Sequence, residues 1–320
     1  MIDKHFISNY CLEKLGSSPR EDKIQDNGRI IRFRDDHKRE NNQDLYLCVY
    51  PSKDELHFIG GNWRDRNNTE FSYFGGEERK PSNEEKKLIR DTIEQEERER
   101  QITLQEYEKW FKTLPLLDDV NLPFIHPYIA RKGLKRSYIA RYNKDNNSIV
   151  LAFQGARGEF TGFQKILPRE KDNKRIASLS RKRGSFIQLY SNHVSNNTIL
   201  VCEGYATGVS LFEATEGKSI VVICIDCGNL TEGIKSAAEY YLQIWKLRTT
   251  KEEFYKRFLI IADNDPSKAG EEHARETSKE LGCSYAIIPN NGDEKITDAN
   301  DYASAFGIEK LKSLLKEVIK

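Results

Sequence analysis

The stretch Phe258-Leu-Ile-Ile-Ala-Asp263-Asn-Asp265-Pro-Ser-Lys-Ala-Gly270 decides the fold. Its first five residues form a short unbroken apolar run, the pattern of a strand buried on both faces. Two carboxylates follow, two residues apart, just before a turn. A strand projects residues i and i+2 to the same side. Asp263 and Asp265 are therefore expected to leave the strand's carboxyl edge pointing the same way. Two like charges held together cost energy unless a cation or a shared proton compensates.

Similar runs lie at 199–202, 219–225 and 285–288, with helix-like segments at 206–216, 231–248 and 267–281 between the runs. Alternating apolar strands and helices indicate an α/β fold whose parallel sheet is covered on both faces. In open sheets of this kind, ligands gather beyond the carboxyl ends of the strands. The first run ends in Glu203-Gly204 and the second in Asp226-Cys-Gly228-Asn229. The third ends in the Asp263/Asp265 pair, and Thr297-Asp298-Ala-Asn300-Asp301 follows the fourth. Every strand thus delivers acid to one edge, which points to a divalent cation. All-oxygen donors suit Mg²⁺ or Mn²⁺ rather than zinc.

These residues carry a family resemblance. A Glu-Gly after a first strand, a DxD after a later one and a further acidic cluster resemble the Toprim fold of primases, topoisomerases and some nucleases. The likeness covers about 198–305. Within that group, Glu203-Gly-Tyr-Ala-Thr-Gly208, Asp226-x-Gly-Asn-Leu230, the DxD and Thr297-Asp-x-Asn-Asp301 resemble the Toprim DNA primases of phages, plasmids and mobile elements. The upstream Gly162-Phe-Gln-Lys-Ile-Leu-Pro168 and Lys174–Leu189 text resembles the basic subdomain preceding Toprim in those primases. The front text, with RFRDD (32–36), LYLCVY (45–50) and FIGGNWRD (58–65), is similar to their amino-terminal region.

The resemblance implies that Glu203 acts as acid/base or metal-organising carboxylate. It implies that Asp263 and Asp265 hold Mg²⁺, and that Asp298 and Asp301 complete the patch. Two departures stand out. Thr207 occupies a place where classical bacterial primases carry aspartate, and Asn300 interrupts the last acidic pair. The zinc ribbon that usually precedes the catalytic part has no counterpart in this text, so no zinc is expected. The only close cysteine pair, Cys224 and Cys227, lacks a second pair and reads as buried or half-buried thiols.

Net charge is +1 over 320 residues, and the average hides an asymmetry. Residues 126–190 hold fifteen lysines and arginines against four acids. Arg131, Lys132, Arg136, Arg157, Lys165, Lys174, Arg175, Arg181, Lys182 and Arg183 are the candidates for a cationic groove that takes nucleic acid and nucleotide. Interleaved Tyr138, Tyr142, Phe153, Phe160 and Phe163 are either core residues or stacking platforms for bases. Gly228-Asn-Leu-Thr-Glu-Gly233-Ile-Lys235 departs from a P-loop because Ile234 separates glycine from lysine, so no ATPase engine is expected. Gly228 and Asn229, with Gly204 and Asp226, are expected to line the acidic edge.

The expected organisation is a small β-rich module at 1–81, a charged helical linker at 82–119 and a basic α+β subdomain at 120–197. The catalytic domain spans 198–305 and a C-terminal helix 306–320. Ser82-Asn-Glu-Glu85 reads as the capping box that opens the linker helix. The six cysteines are scattered, the opening MIDKHFISNY lacks a secretory pattern, and no run of about 20 apolar residues occurs. A reduced cytoplasmic setting without membrane contact is expected.

The reading that follows is a DNA primase making short RNA primers on single-stranded DNA from nucleoside triphosphates. A replicative helicase or a separate zinc-module protein is the expected partner. The rivals are a Toprim metal-dependent nuclease and a non-catalytic single-strand-binding replication protein. A topoisomerase is disfavoured, because no region carrying a nucleophilic tyrosine is visible.

Overall fold

The computed structural model describes residues 2–35, 44–51, 55–62, 70–171 and 173–319. Asp36, the 63–65 part of the front text and Asp172 lie outside the described residues. The chain gathers into two units, Met1–Ile102 and Thr103–Lys320.

The first unit contains helix α1 (Lys4–Leu15), strands β1 (Ile30–Phe33), β2 (Leu45–Tyr50), β3 (His57–Asn62), β4 (Phe71–Phe74) and β5 (Glu77–Arg79), and the start of helix α2 (Asn83–Thr113). The strands form an antiparallel meander in chain order. Helix α1 is an addition to the β-rich expectation for 1–81. The Asp3 carboxylate caps it by accepting from Phe6 N–H at 2.9 Å, and Gly16 ends it at φ 72°. Gly60 and Gly61 lie inside β3. A side chain at Gly60 would begin 2.6 Å from the Phe71 ring, so the close cross-strand ring demands glycine.

At the start of α2 the capping box forms as expected. Glu85 N–H donates to Ser82 Oγ at 3.2 Å, and Ser82 N–H donates to Glu85 Oε2 at 2.7 Å. The buried Glu85 carboxylate also accepts from Arg79, Ser72 and His57.

In the second unit, helix α3 (Pro127–Arg131) precedes a four-stranded antiparallel meander. Its strands are β6 (Arg141–Asn143), β7 (Ser148–Gln154), β8 (Phe160–Ile166) and β9 (Lys174–Ile176). The main sheet has the order β10 (Ile187–Leu189), β12 (Val221–Ile223), β11 (Ile199–Cys202), β13 (Phe258–Ala262) and β14 (Ser284–Ile287). Strands β11 to β14 pair in parallel, and β10 runs antiparallel to β12.

The run that opened the sequence reading shows why these strands are apolar throughout. Leu259 and Ile261 join the core under α4 (Tyr205–Ala214), α8 (Ala299–Phe306) and α9 (Ile308–Val318). Phe258, Ile260 and Ala262 face the core formed with α5 (Leu230–Ile244), α6 (Lys251–Tyr255) and α7 (Ala269–Leu281). Each such leucine, isoleucine or phenylalanine stabilises the fold by roughly 1.5–3 kcal/mol relative to exposure. Strands β11 and β13 are neighbours, yet α4 leaves β11 toward one face and α7 leaves β13 toward the other. Their loops diverge and open a crevice at the carboxyl edge.

Strand β13 ends at Ala262. Asp263 and Asp265 therefore sit in the following loop, and alternation along a strand does not set their directions. Among the described residues, no helix is long and apolar enough to cross a membrane.

Candidate active site

A cleft of about 490 Å³ occupies the crevice. Glu203, Asp226, Asp263 and Asp298 line it on the acidic side, with Arg131, Lys132 and Lys174 on the basic side.

Glu203 follows β11 directly, and Gly204 starts α4. Asp226 follows β12 after Ile225, a β-branched residue at φ 77°. That left-handed backbone is strained for isoleucine, and it turns the chain where Asp226 enters the cleft. Asp298 caps α8 by accepting from Asp301 N–H at 2.8 Å.

Gly270, in the first turn of α7, allows the close approach of Glu203 and Asp263. A β-carbon there would lie 2.7 Å from Glu203 Oε1 and 3.3 Å from Asp263 Cβ. Glycine leaves both acids room over the start of α7, whose N-terminal dipole favours negative charge.

Three carboxylate oxygens in this cleft, Glu203 Oε1, Asp226 Oδ1 and Asp263 Oδ1, are buried without a hydrogen-bond partner among the described residues. Buried acceptors are ordinarily satisfied, so these three mark a place that wants a cation or protons. Burial, then Asp226 and Asp265, pushes Glu203 up to about 7. Burial, then Glu203, Asp298 and Asp265, pushes Asp263 up to about 8. Lys174 opposes both shifts without cancelling them. Among the described residues, no group of three or more His, Cys, Asp or Glu side chains is placed to hold a metal ion.

The other candidates divide. Asp265 accepts from Ser267 N–H at 2.8 Å and from its hydroxyl, and lies outside the cleft lining. Asp301 accepts from the Thr297 hydroxyl at 2.9 Å and pairs with Lys132 at 3.3 Å. Lys132 also stands 3.8 Å from Asp298. Asn229, expected at the acidic edge, is turned inward. It accepts from Gly184 N–H at 2.8 Å and donates to the Ser185 and Cys224 carbonyls, clipping the 181–185 loop to the end of β12. Gly228 shares the short helical turn 227–229 with it.

Among the basic residues, Lys182 pairs with Asp226 at 2.5 Å, while Arg181 pairs with Glu159 at 2.6 Å. Arg183 lies 3.9 Å from Glu232. Arg131 donates to the Pro168 and Arg169 carbonyls at the cleft. Lys165 sits over the Trp110 ring at 5.0 Å, away from the carboxylates. Arg136 lines a separate hollow with Phe124 and His126. Arg157 lies in the turn joining β7 and β8, and exposed Arg175 in β9 bonds its neighbour's carbonyl.

Thr207 lines the cleft as its sequence position implied. Asn300 is buried and donates to the Lys132 carbonyl at 2.8 Å and to Ser210 Oγ at 3.1 Å. It thereby ties the Lys132 backbone to α4 and α8. Tyr128, Glu170 and Asn173 also line the cleft and escaped the sequence reading. None belongs to a strand end, so no periodic signal marks them.

No protein-family model and no curated protein matches this chain. Solved structures with a partial likeness are catalytic parts of primases. The primase fragment of the bacteriophage T7 primase-helicase protein is 15% identical, covering 56% of this chain and 66% of that one at a TM-score of 0.39. The RNA polymerase domain of Mycobacterium tuberculosis primase is 16% identical, covering 61% and 63% at 0.36. The Aquifex aeolicus primase, with zinc-binding and RNA polymerase domains, is 14% identical, covering 92% and 81% at 0.37. The chain thus spans just under two thirds of the T7 and mycobacterial structures. At these identities and scores the likeness carries no chemistry over to this chain.

Proposed function

We propose that the chain is a metal-dependent nucleotidyltransferase of primase type, which makes short RNA primers on single-stranded DNA. The observation that carries this reading is the set of three buried, unpartnered carboxylate oxygens from adjacent strand ends, faced by lysines.

The oxygen donors of the acidic rim are of the type that takes Mg²⁺ or Mn²⁺. Glu203, Asp226, Asp263 and Asp298 would hold it, with Asp265 able to join once it releases Ser267. Such an ion supplies neutralisation of charge on triphosphate oxygens. Lys132, Lys174 and Lys182 offer positive charge to a triphosphate or to the template backbone. Where it does not itself hold the ion, Glu203 would take a proton from an attacking hydroxyl.

The test is incubation with single-stranded DNA, nucleoside triphosphates and Mg²⁺. New oligoribonucleotides are expected, and Asp263→Ala should lower their yield by roughly 10²–10³-fold while the protein still melts cooperatively. Shortened DNA would replace this reading with a Toprim nuclease. Strand binding that needs no metal and gives no turnover would replace it with an accessory role. Full activity in Asp263→Ala would remove the acidic cleft from the chemistry.

A further inference from the structure

A second hollow of about 440 Å³ lies between the end of α2, strands β6 and β7, the β7–β8 turn and β10. None of its lining residues belongs to the acidic cleft. Three observations there converge on a ligand.

The first is a break in register. Strands β7 and β8 pair regularly up to Phe153, then slip, so that Gln154 faces Phe160. A bulge of this kind re-aims a side chain at the cost of ladder pairing. The backbone of Gln154 is meanwhile clamped to Phe186, donating at 2.8 Å and accepting at 2.9 Å.

The second is an oriented amide relay. The buried Tyr241 hydroxyl donates to Gln188 Oε1 at 2.8 Å, and Gln188 Nε2 donates to Gln154 Oε1 at 3.0 Å. This leaves Gln154 Nε2 as the free end of the relay, buried and without a partner among the described residues. A buried donor costs about 1–3 kcal/mol when unpaired, so a relay that ends in one is poised for an acceptor.

The third is a pair of aromatic walls. Phe111 and Phe160 lie with ring centres 6.0 Å apart, tilted by 40°. The Arg141 guanidinium sits 5.0 Å from the Phe111 ring and donates to the Leu114 carbonyl, which holds that wall in place. Both acids in the lining are already paired. Glu159 is paired with Arg181, and Glu108 with Lys112. With Arg141 held on the Phe111 ring and the Leu114 carbonyl, the two rings and the amide suit a flat group with a hydrogen-bond acceptor on its edge.

We propose that this hollow is a nucleobase pocket, in which a base stacks against Phe111 and Phe160 while the Gln154 amide reads its edge. A donor at that point needs an acceptor on the base edge, which the carbonyls of thymine and the ring nitrogens of adenine both supply. The base can come from a single strand or from a free nucleoside, and both present the same edge.

The experiment uses the full chain with Phe160→Ala and Gln154→Leu. Thymidine and adenosine binding is followed by saturation-transfer NMR, and labelled oligo(dT) and oligo(dA) by fluorescence anisotropy, with thermal melting as the check on folding. Binding is expected, and each variant should weaken it about tenfold. Loss confined to the oligonucleotides assigns the pocket to a strand, and loss confined to the nucleosides assigns it to a free nucleoside. Unchanged affinity in both folded variants overturns the pocket, as does no binding by the wild-type chain. The readout is independent of the acidic cleft. Asp263→Ala should keep its base binding, so failure of either proposal is visible without the other.

Discussion

At the scale of single residues, Asp263 shows how position turns an ordinary aspartate into a reactive one. It leaves a fully buried strand, meets Glu203 across Gly270, and is pushed up to about 8. Without metal, Asp263 and Glu203 both bind protons more tightly in the folded chain than in the unfolded one. Their contribution to stability is then fully present below about pH 4 and is lost as pH rises toward 7 to 8. Asp263→Asn removes much of that loss. In chelator it should melt above the wild-type chain at pH 8.5 but not at pH 4, by a margin on the order of a few kcal/mol. Saturating Mg²⁺ should stabilise the wild-type chain more than the variant. Thermal melts at the two pH values, with and without Mg²⁺, check this. Glu203, Asp226 and Asp263 were legible because each directly follows an apolar run. That Asp226 pairs with Lys182 through one oxygen while Asp265 turns to Ser267 was not, because hydrogen bonding in loops follows no period.

Among the elements, α2 is the one whose start the text spells out. The Ser82/Glu85 box is a local signal, needing only three residues of helix to close. What the box gains from tertiary structure is the surrounding shell. Burial raises Glu85, but Arg79, the Ser82 N–H, Ser72 and His57 outweigh it and hold it at about 2. A depressed carboxylate contributes stability above its unfolded range, and that contribution is lost as pH falls from about 4.5 toward 2. Glu85→Ala should therefore destabilise the first unit by roughly 2–3 kcal/mol at neutral pH and by much less near pH 2. Urea unfolding at the two pH values measures it. Strands β11 and β13 were read from end to end, since continuous apolar runs have clear limits. Strands β5, β6 and β9 were missed, each only three residues long and polar or charged in composition. Helix α1 was missed although Asp3 and Gly16 mark both its ends, because its apolar residues form no continuous stripe.

For the molecule as a whole, every residue lining the acidic cleft belongs to the second unit. A chain comprising 103–320 should fold and bind Mg²⁺ within a few-fold of the full-length affinity. Calorimetric titration decides it, and loss of binding in a folded fragment would show that the first unit completes the site. The near-zero net charge gave no hint of this organisation, since a basic segment and an acidic sheet edge cancel in the sum. What the amino-acid text determined alone is the α/β character of the second unit and the delivery of acid to one sheet edge. Buried strands must be apolar, and whatever stands at their ends is visible by contrast. Which carboxylates stay unpaired, which lysines meet them, and that Gln154 ends a buried relay beside two rings were decided only by tertiary structure. Those facts depend on residues far apart in the chain, brought together by sheet order and by loops that diverge from neighbouring strands.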